Sequence, residues 1–354
     1  MQRTPSLLAL ILTALVPASA QWQLQTSNTS ADLRGIHSIG NGIAWASGTN
    51  GAVLRTLDGG VAWLPCSIPP NAEHLDFRGI QAFDGNTAIV MSSGKGDLSR
   101  LYKTTDGCHT WQLLFTNPDP DGFWDAIVLN RTDFEGELLG DPVNGKFAYW
   151  ETGDRANSWH KPRYPGLESL EDEGAFAASN SALFLNNQFA TAFVTGGPTG
   201  ARILTNEGNT ESVPFKSHAL PLAGGSASTG AFSVEARDMC CWVVVGGNYT
   251  APEAAHGTAA YTHDAGKTWH PALKMPQGFR SAVAYDKKTG FWITVGTNGT
   301  DISPDDGTNW YPLRPNLKKH EAPDADKNWN ALSLPFVVGP KGRIGKLNPA
   351  ALPH

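Results

Sequence analysis

Short apolar runs alternate with polar turns along almost the whole chain. "LRGIHSI" (33–39), "GIAWASG" (42–48) and "GAVLRT" (51–56) follow one another with only a few turn formers between them. The same order returns as "FRGIQAF" (77–83), "TAIVMSSG" (87–94) and "SRLYKT" (99–104), and again as "FRSAVAY" (279–285), "GFWITVG" (290–296) and "GTDIS" (299–303). Runs of this length, rich in β-branched and aromatic residues and bounded by Gly, Asn and Asp, predict strands joined by tight turns.

Each third run ends in an octapeptide that recurs. The copies are "TLDGGVAW" (56–63), "TTDGCHTW" (104–111), "TGDRANSW" (152–159), "THDAGKTW" (262–269) and "SPDDGTNW" (303–310). "TNEGNTES" (205–212) fills the long gap in the middle, with Glu207 in place of the acid and no tryptophan. The marker acids are then Asp58, Asp106, Asp154, Glu207, Asp264 and Asp305. Three strands before the box and one after it make a four-stranded antiparallel unit, and such a unit repeated every 40 to 50 residues is the sequence signature of a β-propeller.

The tail supplies a seventh unit from "NWNALSL" (328–334), "PFVVGP" (335–340) and "GRIGKL" (342–347), which stops short of a fourth strand. "QWQLQ" (21–25) is a strand with no hairpin partner of its own. The expectation is an all-β, seven-bladed propeller of four-stranded antiparallel blades, closed by the N-terminal strand pairing with the last blade. The box would occupy the turn between the third and fourth strands. There the acid accepts turn N–H groups, the hydroxyl adds a local hydrogen bond, and the tryptophan packs between blades. The box acids are therefore read as structural.

Composition fits this architecture and narrows the partners. Gly and Pro account for 62 of 354 residues, and only 17% are charged. The net charge of −6 argues against a nucleic-acid footprint. Residues 1–20, "MQRTPSLLALILTALVPASA", have a charged start, a short greasy core and small residues before Gln21. They predict a signal peptide cleaved at Ala20/Gln21, a single propeller domain over 21–354, no membrane span, and a periplasmic or secreted monomer. Cys240 and Cys241 lie in "CCWVVV" and read as buried free thiols, whereas Cys66 and Cys108 either pair or stay free.

The boxes match the Asp-box repeats shared by bacterial sialidases and other propellers. The longer "WASGTNGAVLRTLDGGVAW" (45–63) resembles the photosystem II stability/assembly factor family. "GDPVNGKF" (140–147), "DEGAFAASN" (172–180) and "VGPKGRIGKL" (338–347) extend that resemblance over nearly the whole chain, toward the exported bacterial branch of the group. It implies a seven-bladed propeller that acts as a protein-binding or assembly module.

Motifs for catalysis are sparse. No GxGxxG follows a strand, HExxH and GxSxG are absent, and "GPKGRIGKL" (339–347) departs from a P-loop in spacing and in ending with Leu347. No cofactor is expected, and without a CxxC no metal site is expected either. Arg34, Arg78 and Arg280 recur at one register of the innermost strands, with Asp125 and Glu173 near the equivalent place in blades 3 and 4. Spacing puts them around one mouth of the channel, where they would bind a protein partner or an anionic or glycan ligand, or simply pair with one another. The alternative is a sialidase-like glycoside hydrolase or glycan-binding propeller, with Asp125, Glu173 and Tyr285 as its catalytic candidates.

Overall fold

Period-2 alternation leaves each central strand with two apolar faces, and both must be covered. In the computed structural model, which describes residues 21–130, 135–186, 190–208, 212–317 and 321–353, they are covered by neighbouring blades. Seven antiparallel sheets follow one another in chain order. Blade 1 is Leu33–Gly40, Ile43–Gly48, Val53–Thr56 and Leu64–Pro65; blade 2 is Phe77–Ala82, Ala88–Ser92, Arg100–Thr104 and Gln112–Thr116. Blades 4, 5 and 6 repeat this meander, opening on Leu183–Asn186, Thr229–Ala236 and Ala282–Asp286.

Alternate residues of one strand serve alternate seams. In Ala88–Ser92, Ala88 and Val90 join a cluster with blade 1, whereas Ile89 and Met91 join one with blade 3. Seven such apolar clusters correspond to the seven seams of the ring. The core is therefore a set of radial layers with no single centre.

The ends of the chain meet in blade 7. Ala331–Ser333, Phe336–Val338 and Ile344–Leu347 provide three strands, and Trp22–Gln25 provides the fourth, with Trp22 opposite Leu347 and Gln25 opposite Ile344. The closing strand is as predicted. Trp22 is fully buried against Trp329 and donates its indole N–H to Thr300 Oγ1 at 3.0 Å.

Blade 3 departs from the four-stranded expectation. Among the described residues it holds Trp124–Leu129, Gly136–Val143 and Lys146–Thr152, and only isolated bridges at Glu151–His160 and Lys146–Glu168 stand where a fourth strand would lie. Pro162 and Pro165 fall between those bridges and have no N–H to offer a ladder.

The octapeptide turns share one hydrogen-bond scheme. In blade 2, Thr104 Oγ1 donates to Asp106 Oδ1 at 2.9 Å and accepts the N–H of Cys108 at 3.0 Å, while Asp106 Oδ1 accepts the N–H of Thr110 at 3.0 Å. Equivalent contacts recur around Asp58, Asp154, Asp264 and Asp305. Each tryptophan packs toward the preceding blade: Trp63 with Phe336 of blade 7, Trp111 with the blade 1 seam, Trp310 with the blade 5 seam. In the fourth copy the positions of the equivalent partners, 209–211, lie outside the described residues. Glu207 is exposed, 3.6 Å from Lys216, and Asn206 accepts the turn N–H of Gly208.

Cys66 and Cys108 form a disulfide that joins the end of blade 1 to the turn of blade 2. Cys241 is buried as expected, but Cys240 is exposed. Residues 1–20, read above as a leader, lie outside the described residues. No described helix is long and apolar enough to cross a membrane.

Candidate functional site

An insertion of one residue into the first strand of several blades builds the mouth of the channel. In blade 1 the pairing steps from Leu33–Gly48 to Gly35–Ser47, leaving Arg34 as the extra residue. In blade 2 it steps from Phe77–Ser92 to Gly79–Met91, leaving Arg78. Blade 3 leaves Asp125 in the same way, and blade 5 leaves Phe232. A β-bulge frees the extra residue from the ladder and re-aims its side chain. All four line one concavity of about 500 Å³.

Its two sides differ in chemistry. On one, Asp76 accepts Arg78 Nε at 2.8 Å and stands 4.0 Å from Arg34 Nε. Arg78 also donates to the carbonyl of Ala177 at 3.2 Å, but Arg34 Nε has no hydrogen-bond partner among the described residues. Both arginine side chains keep about 30% of their surface exposed (30% and 28%). On the other side Phe176 stacks on Phe232 at 3.8 Å between ring centroids, Phe279 meets Phe232 edge-on at 4.8 Å, and Tyr249 stands half-exposed beside them.

Two carboxyls lie between these sides. Asp125 is buried, and its Oδ2 has no hydrogen-bond partner among the described residues. Burial first, and then the nearby Asp141, push its carboxyl well above the ordinary range, although Arg78 pulls the other way. Burial likewise raises Asp141 to about 6, against the stabilising N–H of Ala175 at 3.0 Å. Its surroundings therefore disfavour the charged form of Asp125. Two guanidinium groups then share one close carboxylate, Asp76, with Asp141 charging only as pH passes about 6.

The sequence reading placed three further residues here, and the structure does not. Arg280 is buried and donates through Nε to Asp301 Oδ2 at 2.8 Å, with further bonds to Asp301, Asn298 and the carbonyl of Phe279. It borders a separate cavity of about 300 Å³. Glu173 is held by Arg202 and accepts Thr195 Oγ1 at 2.6 Å and the N–H of Leu170 at 2.8 Å. Tyr285 packs on Trp292 and under Arg237, outside the mouth. Asp125, Glu173 and Tyr285 are therefore not assembled into one catalytic group.

The sequence reading also missed Asp76, Asp141 and the aromatic side. Phe232 could have been found, because "GAFSV" (230–234) aligns with "RGI" and "DAI" of the other first strands at the bulged position.

Fold and mouth together define a class: a seven-bladed β-propeller whose channel opens on an arginine pair facing an aromatic shelf. No protein-family model matches the chain. It is similar to the Photosystem II assembly protein Ycf48 of Synechococcus sp. (strain JA-2-3B'a(2-13)), with 24% identity over 300 residues that cover 72% of this chain and 80% of that one. Ycf48 of Synechococcus sp. (strain JA-3-3Ab) is 27% identical over 228 residues, covering 61% of this chain and 58% of that one. These relatives agree with the assembly-factor resemblance read from the sequence.

Among solved structures, YCF48 bound to D1 peptide superposes with a TM-score of 0.62 at 16% identity, covering 92% of this chain and 96% of that one. YCF48 from Cyanidioschyzon merolae gives 0.61 at 18% identity, over 93% and 99%. A GH74 xyloglucanase from Xanthomonas campestris gives 0.56 at 16% identity, over 93% of this chain and 54% of that one. The propeller fold is common to all three.

Proposed function

We propose that this chain is a non-catalytic, exported binding propeller that holds a polypeptide segment at the mouth between Arg34/Arg78 and the Phe176–Phe232–Phe279 shelf. The observation that carries this is the charge count at the bulges. Arg34 and Arg78 share Asp76, burial disfavours the charged form of Asp125, and both arginine side chains keep about 30% of their surface exposed (30% and 28%). A carboxylate from the segment would pair with the exposed parts of these two arginines, and an adjacent apolar side chain would lie on the aromatic shelf. Similarity to Ycf48, and the structure of YCF48 bound to D1 peptide, support a peptide as the ligand class. The Cys66–Cys108 disulfide supports an oxidising compartment, as the periplasmic or secreted reading requires.

The test is binding of acidic peptides carrying Phe or Leu beside the acid, measured by fluorescence anisotropy across a salt series. Affinity should fall with salt. Arg34→Ala combined with Arg78→Ala should weaken it by about tenfold or more, since a charge-assisted hydrogen bond contributes about 1.5 kcal/mol or more. Arg280→Ala does not serve this purpose, because it would leave Asp301 buried and unpaired. Equal affinity for the double variant and the parent, with both folded, would overturn the reading.

A further inference from the structure

On the face opposite the mouth, three separate turns bring sulfur, nitrogen and oxygen ligands together. The hairpin after Thr229–Ala236 carries Asp238, Cys240 and Cys241; the next turn of blade 5 carries His263; the octapeptide turn of blade 6 carries Asp306. Ligand atoms of Asp238, Cys240 and Cys241 lie within 4.8 Å of one another, and so do those of Cys241, His263 and Asp306. Cys241 belongs to both groups. Its Sγ is 3.2 Å from that of Cys240.

We infer that this cluster is a binding site for a borderline-soft divalent cation of the zinc class, with Cys241, His263, Asp306 and Cys240 as ligands. Tetrahedral ligands at bond lengths of about 2.0–2.3 Å stand roughly 3.3–3.8 Å apart, and each triad, joined to the other through Cys241, already lies within 4.8 Å. Thiolate and imidazole together favour zinc over calcium or magnesium, which take oxygen shells. Asp238 has another task. Its Oδ1 accepts the N–H groups of Cys240 at 2.9 Å and Cys241 at 2.8 Å, which fixes the hairpin that presents both sulfurs.

Arg237 reaches into the cluster. It donates to Cys241 Sγ at 3.0 Å, to Asp238 Oδ2 at 2.9 Å and to Asp306, while its guanidinium lies 5.9 Å from the centre of the Tyr285 ring. The guanidinium is the resident countercharge, and a cation binds by displacing it toward that ring. Binding replaces the two thiol protons, which pass to solvent. The ion would tie blade 5 to blade 6, much as the disulfide ties blade 1 to blade 2.

Competition with Arg237 makes the inference testable in both directions. The full-length processed protein is prepared metal-free and titrated with Co²⁺, read by the sulfur-to-cobalt charge-transfer and tetrahedral d–d bands, then with Zn²⁺ against a chromophoric chelator. One ion per chain is expected, with both cobalt bands lost in Cys241→Ser and zinc affinity lowered at least tenfold in His263→Ala. Arg237→Gln should raise zinc affinity at least tenfold, a gain that a purely structural ion-pair cluster does not produce. Should that variant not fold, Arg237→Met keeps the stem beside Tyr285 and serves in its place. The inference is overturned by parent and Cys241→Ser binding zinc alike, by unchanged affinity on losing the guanidinium, or by alkylation and mass analysis showing Cys240 and Cys241 already joined to each other.

Discussion

The indole N–H of Trp63 donates to Oε1 of Gln25 at 2.8 Å, so the blade 1 turn grips the strand that closes the ring. That strand is held on its other side by its four-residue pairing with Ile344–Leu347. Removing residues 21–25 would strip both contacts and leave an open edge on blade 7. The truncated protein should aggregate or melt well below the parent. A milder probe is Trp22→Ala, which should cost about 3–5 kcal/mol in denaturant unfolding, because a fully buried indole leaves a cavity and Thr300 Oγ1 loses the N–H it accepts.

The turn acids should matter for stability in a way that depends on pH. Hydrogen bonds from Thr110, Ser158 and Thr268 hold Asp106, Asp154 and Asp264 at about 2, below the ordinary carboxylate range. A depressed carboxyl contributes stability fully above its unfolded value near 3.8, and the contribution is lost as pH falls through about 2. Asp305→Ala should cost about 0.5–1 kcal/mol at neutral pH, in the lower part of the range for lost caps because this turn faces water. Melting curves of parent and variant should converge in strong acid. A constant gap down to pH 2 would count against the capping role.

Glu137 predicts the opposite slope. Burial raises its carboxyl to about 8 despite the hydroxyls of Thr191 and Tyr149. An elevated carboxyl costs nothing below its unfolded value near 4.5, and the cost accumulates as pH rises toward about 8. Glu137→Gln should therefore leave the melting temperature near pH 4 almost unchanged and raise it by a few degrees at pH 9. Proton uptake by Asp141 near 6 should act separately, strengthening anion binding at the mouth as pH falls through that value.

Opening the disulfide should destabilise the first two blades together. Cys66 and Cys108 are 42 residues apart, a loop whose closure entropy corresponds to about 4 kcal/mol as an upper figure. Replacing both by Ala should lower the denaturant midpoint without changing peptide affinity at the mouth, since the bridge lies on the face away from it. Loss of peptide affinity in a variant that is still folded would show the two faces to be coupled.

Blade count and ring closure were legible because their signals are local: a hydroxyl, an acid and a tryptophan at fixed offsets report a turn wherever they occur. The fate of an arginine at a shared register was not. Arg280 follows Asp301 inward, whereas the matching position, two residues before the turn hydroxyl, holds Leu54 in blade 1 and Tyr102 in blade 2. Neither can draw Arg34 or Arg78 away from the mouth. The difference was present in "GTDIS" beside "GAVLRT" and "SRLYKT", but it becomes readable only once the third strand is known to lie within reach of the start of the first. The Cys–His–Asp cluster was beyond reach for a similar reason, since its ligands come from three turns and two blades.

Pairing Trp22 with Leu347 also fixes when the molecule can be completed. The first of these strands to leave the ribosome is the last to find its partner, and at about 5–20 residues per second it waits roughly 15–65 s. Throughout that interval the nascent molecule carries a loose sticky segment at one end and, once blade 7 appears, a vacant groove at the other. Two finished copies can each donate the segment to the other's groove with the same hydrogen bonds as the closed monomer. Dilution during refolding should decide the outcome, with closed rings dominating when chains are scarce and strand-exchanged pairs rising as they crowd.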